Sequence, residues 1–105
     1  MKINKFGWAP LHAACYFGKL EIVRFLIEEQ EADPNDKNPN GWHSLIFAVM
    51  GNSGAQIVEY LLSLTNTDVD LEDESGNKAI VYAKSIAPGS PIERALISAY
   101  GTESY

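Results

Sequence analysis

One helical pattern occurs three times along this chain at a spacing of 35 residues, starting at positions 21, 56 and 91. The three segments are Glu21-Ile22-Val23-Arg24-Phe25-Leu26-Ile27-Glu28, Gln56-Ile57-Val58-Glu59-Tyr60-Leu61-Leu62-Ser63 and Pro91-Ile92-Glu93-Arg94-Ala95-Leu96-Ile97-Ser98. Ile recurs at 22, 57 and 92, and Leu at 26, 61 and 96. Polar residues at 21, 24 and 28 map onto 56, 59 and 63, the spacing of one solvated helix face. A chain built this way cannot gather one central core. Each unit has an apolar face that only a neighbouring unit can cover.

A second register lies upstream of these helices. It starts at Gly7, Gly41 and Gly76, and each glycine leads into a short apolar stretch: Leu11 to Cys15, Leu45 to Val49, and Ile80 to Lys84. Alanine recurs at 14, 48 and 83, where close stacking of units needs a small side chain. Five apolar residues also suit a buried strand, and periodicity alone does not decide between the two. Pro10, pre-set for a first helical turn, favours a helix in the first unit. Turn-forming residues join the two halves of each unit, at Phe17-Gly18-Lys19, at Gly51-Asn52-Ser53-Gly54 and at Ala87-Pro88-Gly89. Ser90-Pro91-Ile92-Glu93 has the form of a capping box. Between units lie Asn-, Asp-, Pro- and Gly-rich segments, 32–41 and 65–76, expected to be extended loops or hairpins.

The first unit, Gly7-Trp8-Ala9-Pro10-Leu11-His12-Ala13-Ala14, then Gly18, Glu21-Ile22-Val23, Leu26-Ile27 and Ala32-Asp33-Pro34-Asn35, resembles the ankyrin repeat. The resemblance covers the whole chain as three repeats, approximately 5–37, 38–72 and 73–101, with 102–105 a frayed tail. It implies an all-α, ankyrin-like solenoid of stacked helix-turn-helix repeats joined by β-hairpin-type loops. The third repeat is degenerate. Ala9, His43-Ser44 and Lys78-Ala79 depart from the family's Thr-Pro, which predicts looser starts to the first helices of the second and third repeats.

The ends of the array differ. Glu93 stands where the earlier repeats have Val23 and Val58, and Lys84 stands where they have Cys15 and Val49. Because burying a charge is costly, the third repeat is expected to be a C-terminal cap. The first repeat carries the strongest interior-type sequence. This points to a longer array, to an N-terminal face that meets a partner or a second copy of the chain, or to a freestanding small protein with a tolerated open end.

Charge and cysteine content narrow the function. Fourteen acidic residues against 8 basic ones give a net charge of −6, which disfavours nucleic acid and anionic membranes as partners. The single cysteine, Cys15, allows no intramolecular disulfide, and no apolar run reaches signal or transmembrane length, so a cytoplasmic or otherwise intracellular setting is expected. Metal and cofactor sites are not expected. As a calcium loop, the acidic run Asp68, Asp70, Glu72, Asp73, Glu74 has Asp73 where glycine is needed and Ala79 where glutamate is needed. It suits a solvated hairpin, or steering of a basic partner. His12 and Cys15, three residues apart, imitate a base and its nucleophile. The resemblance instead implies a structural His12 bonded between repeats and a buried, inert Cys15.

The resemblance further implies a protein-protein interaction module that holds a protein or peptide across its hairpin tips and concave first-helix face, without catalysis. The alternative is a structural or regulatory part of a longer ankyrin-repeat multidomain protein. Candidate contact residues are Trp8 and Trp42 beside the repeat glycines, His43, and Tyr16, Phe17 and Met50 at first-helix ends. Aromatic residues there are enriched at binding hot spots. On this reading packing asks nothing apolar of them, so Trp42→Ala weakens binding and leaves the fold intact. The resemblance also marks Asn35 as a place where ankyrin-type asparagines can be hydroxylated, although Pro34 breaks the pattern and a hairpin-capping role suits it better.

Overall fold

A computed structural model describes residues 8–51, 55–64 and 66–100. Gly7, the turn at 52–54 and the tail at 101–105, on which parts of the repeat register rest, lie outside the described residues. Six helices follow one another: α1 (Pro10–Tyr16), α2 (Leu20–Glu28), α3 (Ser44–Gly51), α4 (Ala55–Ser63), α5 (Ala79–Ile86) and α6 (Pro91–Tyr100). Among the described residues all regular structure is helical. The apolar stretches that suited either strand or helix are therefore helices.

Local chemistry sets the helix ends. Pro10 opens α1, and its first turn is capped from within: the Ala9 N–H donates to Nδ1 of His12 at 3.2 Å. Gly18 takes φ +73° where α1 turns into α2. At α6 the Ser90 hydroxyl accepts the Glu93 N–H at 3.2 Å, and the Glu93 carboxylate accepts the Gly89 N–H at 2.7 Å. This is the expected capping box with its reciprocal bond moved back one residue.

The pairs α1–α2, α3–α4 and α5–α6 stack side by side, with α3 between α1 and α5, and α4 touching α2 and α6. The resulting body measures 38 × 26 × 22 Å. Every side chain of α3 from Ser44 to Val49 is buried, because both of its neighbours cover it. Alanines 14, 48 and 83 are buried as the register required. Across the second layer, the Tyr60 hydroxyl of α4 donates to Glu28 of α2 at 2.7 Å, and Arg24 holds the same carboxylate at 3.3 Å.

The loops repeat as faithfully as the helices. Oδ1 of Asn38 accepts the N–H groups of Asn40 and Trp42, and 35 residues on Oδ1 of Asp73 accepts those of Ser75 and Asn77. The Asn38 N–H donates to the Trp42 carbonyl and the Asp73 N–H to the Asn77 carbonyl, closing both loops in hairpin fashion. Gly41 and Gly76 supply the left-handed residue of each turn, at φ +80° and +81°. The loops also bind each other. The Glu74 N–H donates to the Asn40 carbonyl, Lys37 to the Glu72 carbonyl, and Asn35 bridges the Asn66 carbonyl and the Asp68 N–H.

Two expectations need correction. The second repeat is not loosened by losing Thr-Pro, because His43, in the threonine's place, is buried and bonds the Leu71 carbonyl at 3.2 Å. This duplicates in the next loop what His12 does in the first, where it bonds the Asp36 carbonyl at 3.0 Å. The acidic run is not uniformly solvated either, since Asp73 is buried as the organiser of its loop.

Two glycines test the stack. A Cβ on Gly51 would lie 1.9 Å from the Tyr16 carbonyl oxygen, backbone against backbone, whereas one on Gly76 would meet nothing within 4 Å. Gly51→Ala is expected to lower the stability measured by urea unfolding by about 3 kcal/mol or more. Gly76→Ala, strained only in its φ, should cost about 1 kcal/mol.

Candidate functional site

The aromatic residues that pattern alone placed on the surface converge on Phe47 at the centre of α3. Trp8 meets its ring edge-on at 4.8 Å, Trp42 at 5.5 Å, and His12 stacks parallel to it at 4.7 Å. From this buried ring the cluster runs outward in two directions. One branch is Trp8 to Tyr16 (5.0 Å) to Phe17 (5.1 Å), and the other is Trp42 to Tyr82 (5.9 Å). Met50 is half-buried against the core at the end of α3, and the next residue, Gly51, abuts the Tyr16 carbonyl. Five of the six candidate contact residues are thus brought together around two first-helix ends and one ring.

His43 is the exception. It is only 1% exposed and directed at the Leu71 carbonyl, so it cannot present itself to a partner. Burial costs a charged imidazole its hydration and lowers the pKa of both histidines from the ordinary 6.5; the carbonyl bonds to Asp36 and Leu71 oppose this without cancelling it. The tautomer of His12 follows from its partners. Nδ1 accepts from Ala9, so Nε2 carries the proton and donates to Asp36. Both ring nitrogens of His12 are thus engaged by backbone groups.

Trp42 is less free than its surface position implied. Asp73 accepts hydrogen bonds from the Tyr82 hydroxyl and the Asn77 and Ser75 N–H groups, and Trp42 packs edge-on against the same Tyr82 ring. Burial alone would raise the pKa of Asp73. These donors outweigh it and hold the carboxyl below the usual 3.8. Trp42 therefore belongs both to the surface and to the packing between the second and third repeats, and replacing it is expected to cost stability as well as contact. Phe17, at 60% exposure, carries no such double duty.

Sequence reasoning gave no role to Phe47, Tyr82 or Asn38, and took Asp73 only as part of an acidic run. The last two stood 35 residues apart in the repeat register. Phe47 and Tyr82 share the register position that Ala13 occupies in the first repeat.

Catalytic chemistry finds no footing among these groups. Cys15 is fully buried, and burial pushes its thiol up to about 12 despite the Ser44 hydroxyl beside it. Asn35 is occupied in bridging two loops. Among the described residues no three His, Cys, Asp or Glu side chains gather as metal ligands, and no helix is long and apolar enough to cross a membrane.

A family model described as ankyrin repeats (3 copies) matches residues 1–73. The human transient receptor potential cation channel subfamily A member 1 is 35% identical over 82 residues, 78% of this chain and 7% of the channel. An ankyrin repeat-containing protein of Schizosaccharomyces pombe is 28% identical over 75 residues, covering 70% of this chain and 32% of that protein. The ankyrin repeat protein YahD of Escherichia coli is 31% identical over 85 residues, covering 78% and 42%. A chain from the structure of the Bd0816 predatory endopeptidase of Bdellovibrio bacteriovorus in complex with immunity protein Bd3460 superposes with a TM-score of 0.78 at 27% identity, over 96% of this chain and 49% of that one. The chain thus spans less than half the length of each.

Two measurements probe these assignments. The folded chain resists protonating His12 and His43, whereas the unfolded chain binds those protons at 6.5. Stability is therefore complete above 6.5 and declines as pH falls through the lowered folded values, with Asp73 adding a further loss below 3.8. Urea midpoints should hold level above about pH 6.5 and fall from there towards about pH 5; a flat profile contradicts neutral, buried histidines. Cys15 should resist a thiol reagent in the native protein and react once urea unfolds it.

Proposed function

Because the chain belongs to the ankyrin repeat family, we propose that it is a protein-binding module whose contact surface is built from Trp8, Tyr16, Phe17, Trp42 and Met50. Ankyrin repeats are generally protein-protein interaction modules, and the fold is a non-catalytic one. The observation that supports this surface is the aromatic strip Trp8–Tyr16–Phe17, anchored at its base on buried Phe47 and exposed at its tip. Rings held from beneath lose little freedom on binding, so more of the contact energy appears as affinity. The ligand is a protein or peptide that offers apolar side chains. His43 plays no direct part.

Affinity capture from extracts of the native host tests the proposal, with wild-type chain and a Phe17→Ala variant as baits. Once a captured protein is identified, Phe17→Ala should weaken its binding by about 2 kcal/mol, with an unchanged melting temperature. Equal capture by both baits defeats the assignment of the surface. A second reading is favoured by how little of its relatives' lengths the chain spans: these repeats form part of a longer array and act on a neighbouring domain. Coding sequence that continues upstream in frame with further repeats decides for it.

A further inference from the structure

The two inter-repeat loops meet at Gly41. A Cβ there would lie 2.7 Å from the Glu74 nitrogen and 3.0 Å from the Asp73 Cα, both backbone atoms, and the φ of +80° favours glycine besides. The fold therefore requires a glycine directly after Asn40, and Asn40-Gly41 is the one Asn-Gly pair in the sequence. Such a pair has a chemistry of its own, because no side chain crowds the glycine nitrogen. Once a base in solution has taken its proton, the Gly41 nitrogen attacks Cγ of Asn40. A Cγ–N bond forms, the Cγ–Nδ2 bond breaks, and the departing nitrogen is protonated and leaves as ammonia. Water then adds to either carbonyl of the resulting five-membered imide, which opens to aspartate or to isoaspartate. The net change is one water consumed and one ammonia released.

The folded loop opposes the first of these steps. The Gly41 N–H donates to the Asn38 carbonyl at 2.8 Å, Pro39 fills the second place of the turn, and Asn40 does not take a positive φ. This is a type I turn, which holds ψ of Asn40 near about 0°. Ring closure needs the Gly41 nitrogen to eclipse Cβ of Asn40, far from that setting, and needs the proton that the Asn38 carbonyl now holds. The Asn40 side chain itself is exposed, but its backbone is pinned on both flanks. Its N–H donates to Oδ1 of Asn38 at 3.0 Å, and its carbonyl accepts the Glu74 N–H at 3.1 Å. Lys37 adds a bond to the Glu72 carbonyl at 2.9 Å. The turn is thus held in place by the loop that leads into the third repeat. Neighbouring amides are safer by chemistry: Pro39 gives Asn38 no N–H to attack it, and the register counterpart of Asn40 in the next loop is Ser75.

We propose that Asn40 is a self-modification site, and that its deamidation is gated by contact with the Asp73–Glu74 loop, proceeding when the junction between the second and third repeats opens. The change is one-way. In the isoaspartyl product the carbonyl that accepted the Glu74 N–H is no longer part of the main chain, and the turn is one atom longer. Either product sets a new carboxylate beside Glu74. A junction that has been modified cannot close again as before.

Peptide mapping by mass spectrometry, on the 105-residue chain aged in mildly alkaline buffer with and without urea, tests this. The gain of one mass unit should fall on Asn40, with isoaspartate among the products, and should be at least about tenfold slower in the native chain than in urea. Lys37→Met, which removes one inter-loop bond at an exposed position, should raise the native rate about threefold with circular dichroism unchanged. Leu96→Ala, which empties a fully buried site in the third repeat, should raise it about tenfold. Fully aged wild-type chain should melt below fresh chain, whereas Asn40→Ser, with the residue found at this place in the next loop, should melt alike before and after ageing. Equal rates in native buffer and in urea overturn the proposal. So does a native rate that neither Lys37→Met nor Leu96→Ala moves, or an aged wild-type chain that melts as the fresh one does.

Discussion

No repeat in this protein can bury its own apolar face, and the rest of the structure follows from that. The consequence is plainest in α3, whose side chains from Ser44 to Val49 are buried because α1 lies on one side and α5 on the other. A helix so covered has no amphipathic signature, only an unbroken apolar run. Its neighbours, covered on one side only, divide their faces between core and solvent. Stability in such a stack is a sum over neighbouring interfaces, so a fault at one junction, such as Gly51 against the Tyr16 carbonyl, is felt by both adjoining repeats.

Helix stacking alone would leave the loops without a defined course, and here they are ordered by a second periodic device. Asn38 and Asp73 each gather the N–H groups of the following turn and are themselves buried beneath it. His12 and His43 then tie successive loops to the helix layer through the Asp36 and Leu71 carbonyls. The two histidines sit at different places in their repeats yet reach equivalent carbonyls. The constraint conserved from unit to unit is the hydrogen bond that a buried carbonyl requires, not the position that supplies the donor.

The aromatic surface inherits its rigidity from both devices. Phe47 is the ring on which Trp8, His12 and Trp42 converge, and Tyr82, itself bonded to Asp73, packs on Trp42 from the loop side. The residues proposed for contact and those that pack the stack are therefore not separate sets. Phe17, furthest from this anchor, is the one whose contribution to contact is cleanly separable from its contribution to the fold.

The sequence by itself determined the periodic part of this protein. Three units at a spacing of 35, a helix pair in each, small residues at 14, 48 and 83, a buried Cys15 and charges at 84 and 93 all follow from a repeating pattern, because stacked units impose the same demands at the same register. Family membership was legible from the first unit for the same reason. Only the tertiary structure decided what departs from the period. Nothing in the order of residues distinguishes a tryptophan packed on Phe47 from one standing in solvent, a histidine offered to a partner from one bonded to Leu71, or an aspartate in water from one collecting three donors. Those distinctions depend on which groups from neighbouring repeats come within hydrogen-bonding or van der Waals reach, a property of the assembled stack and not of any single unit.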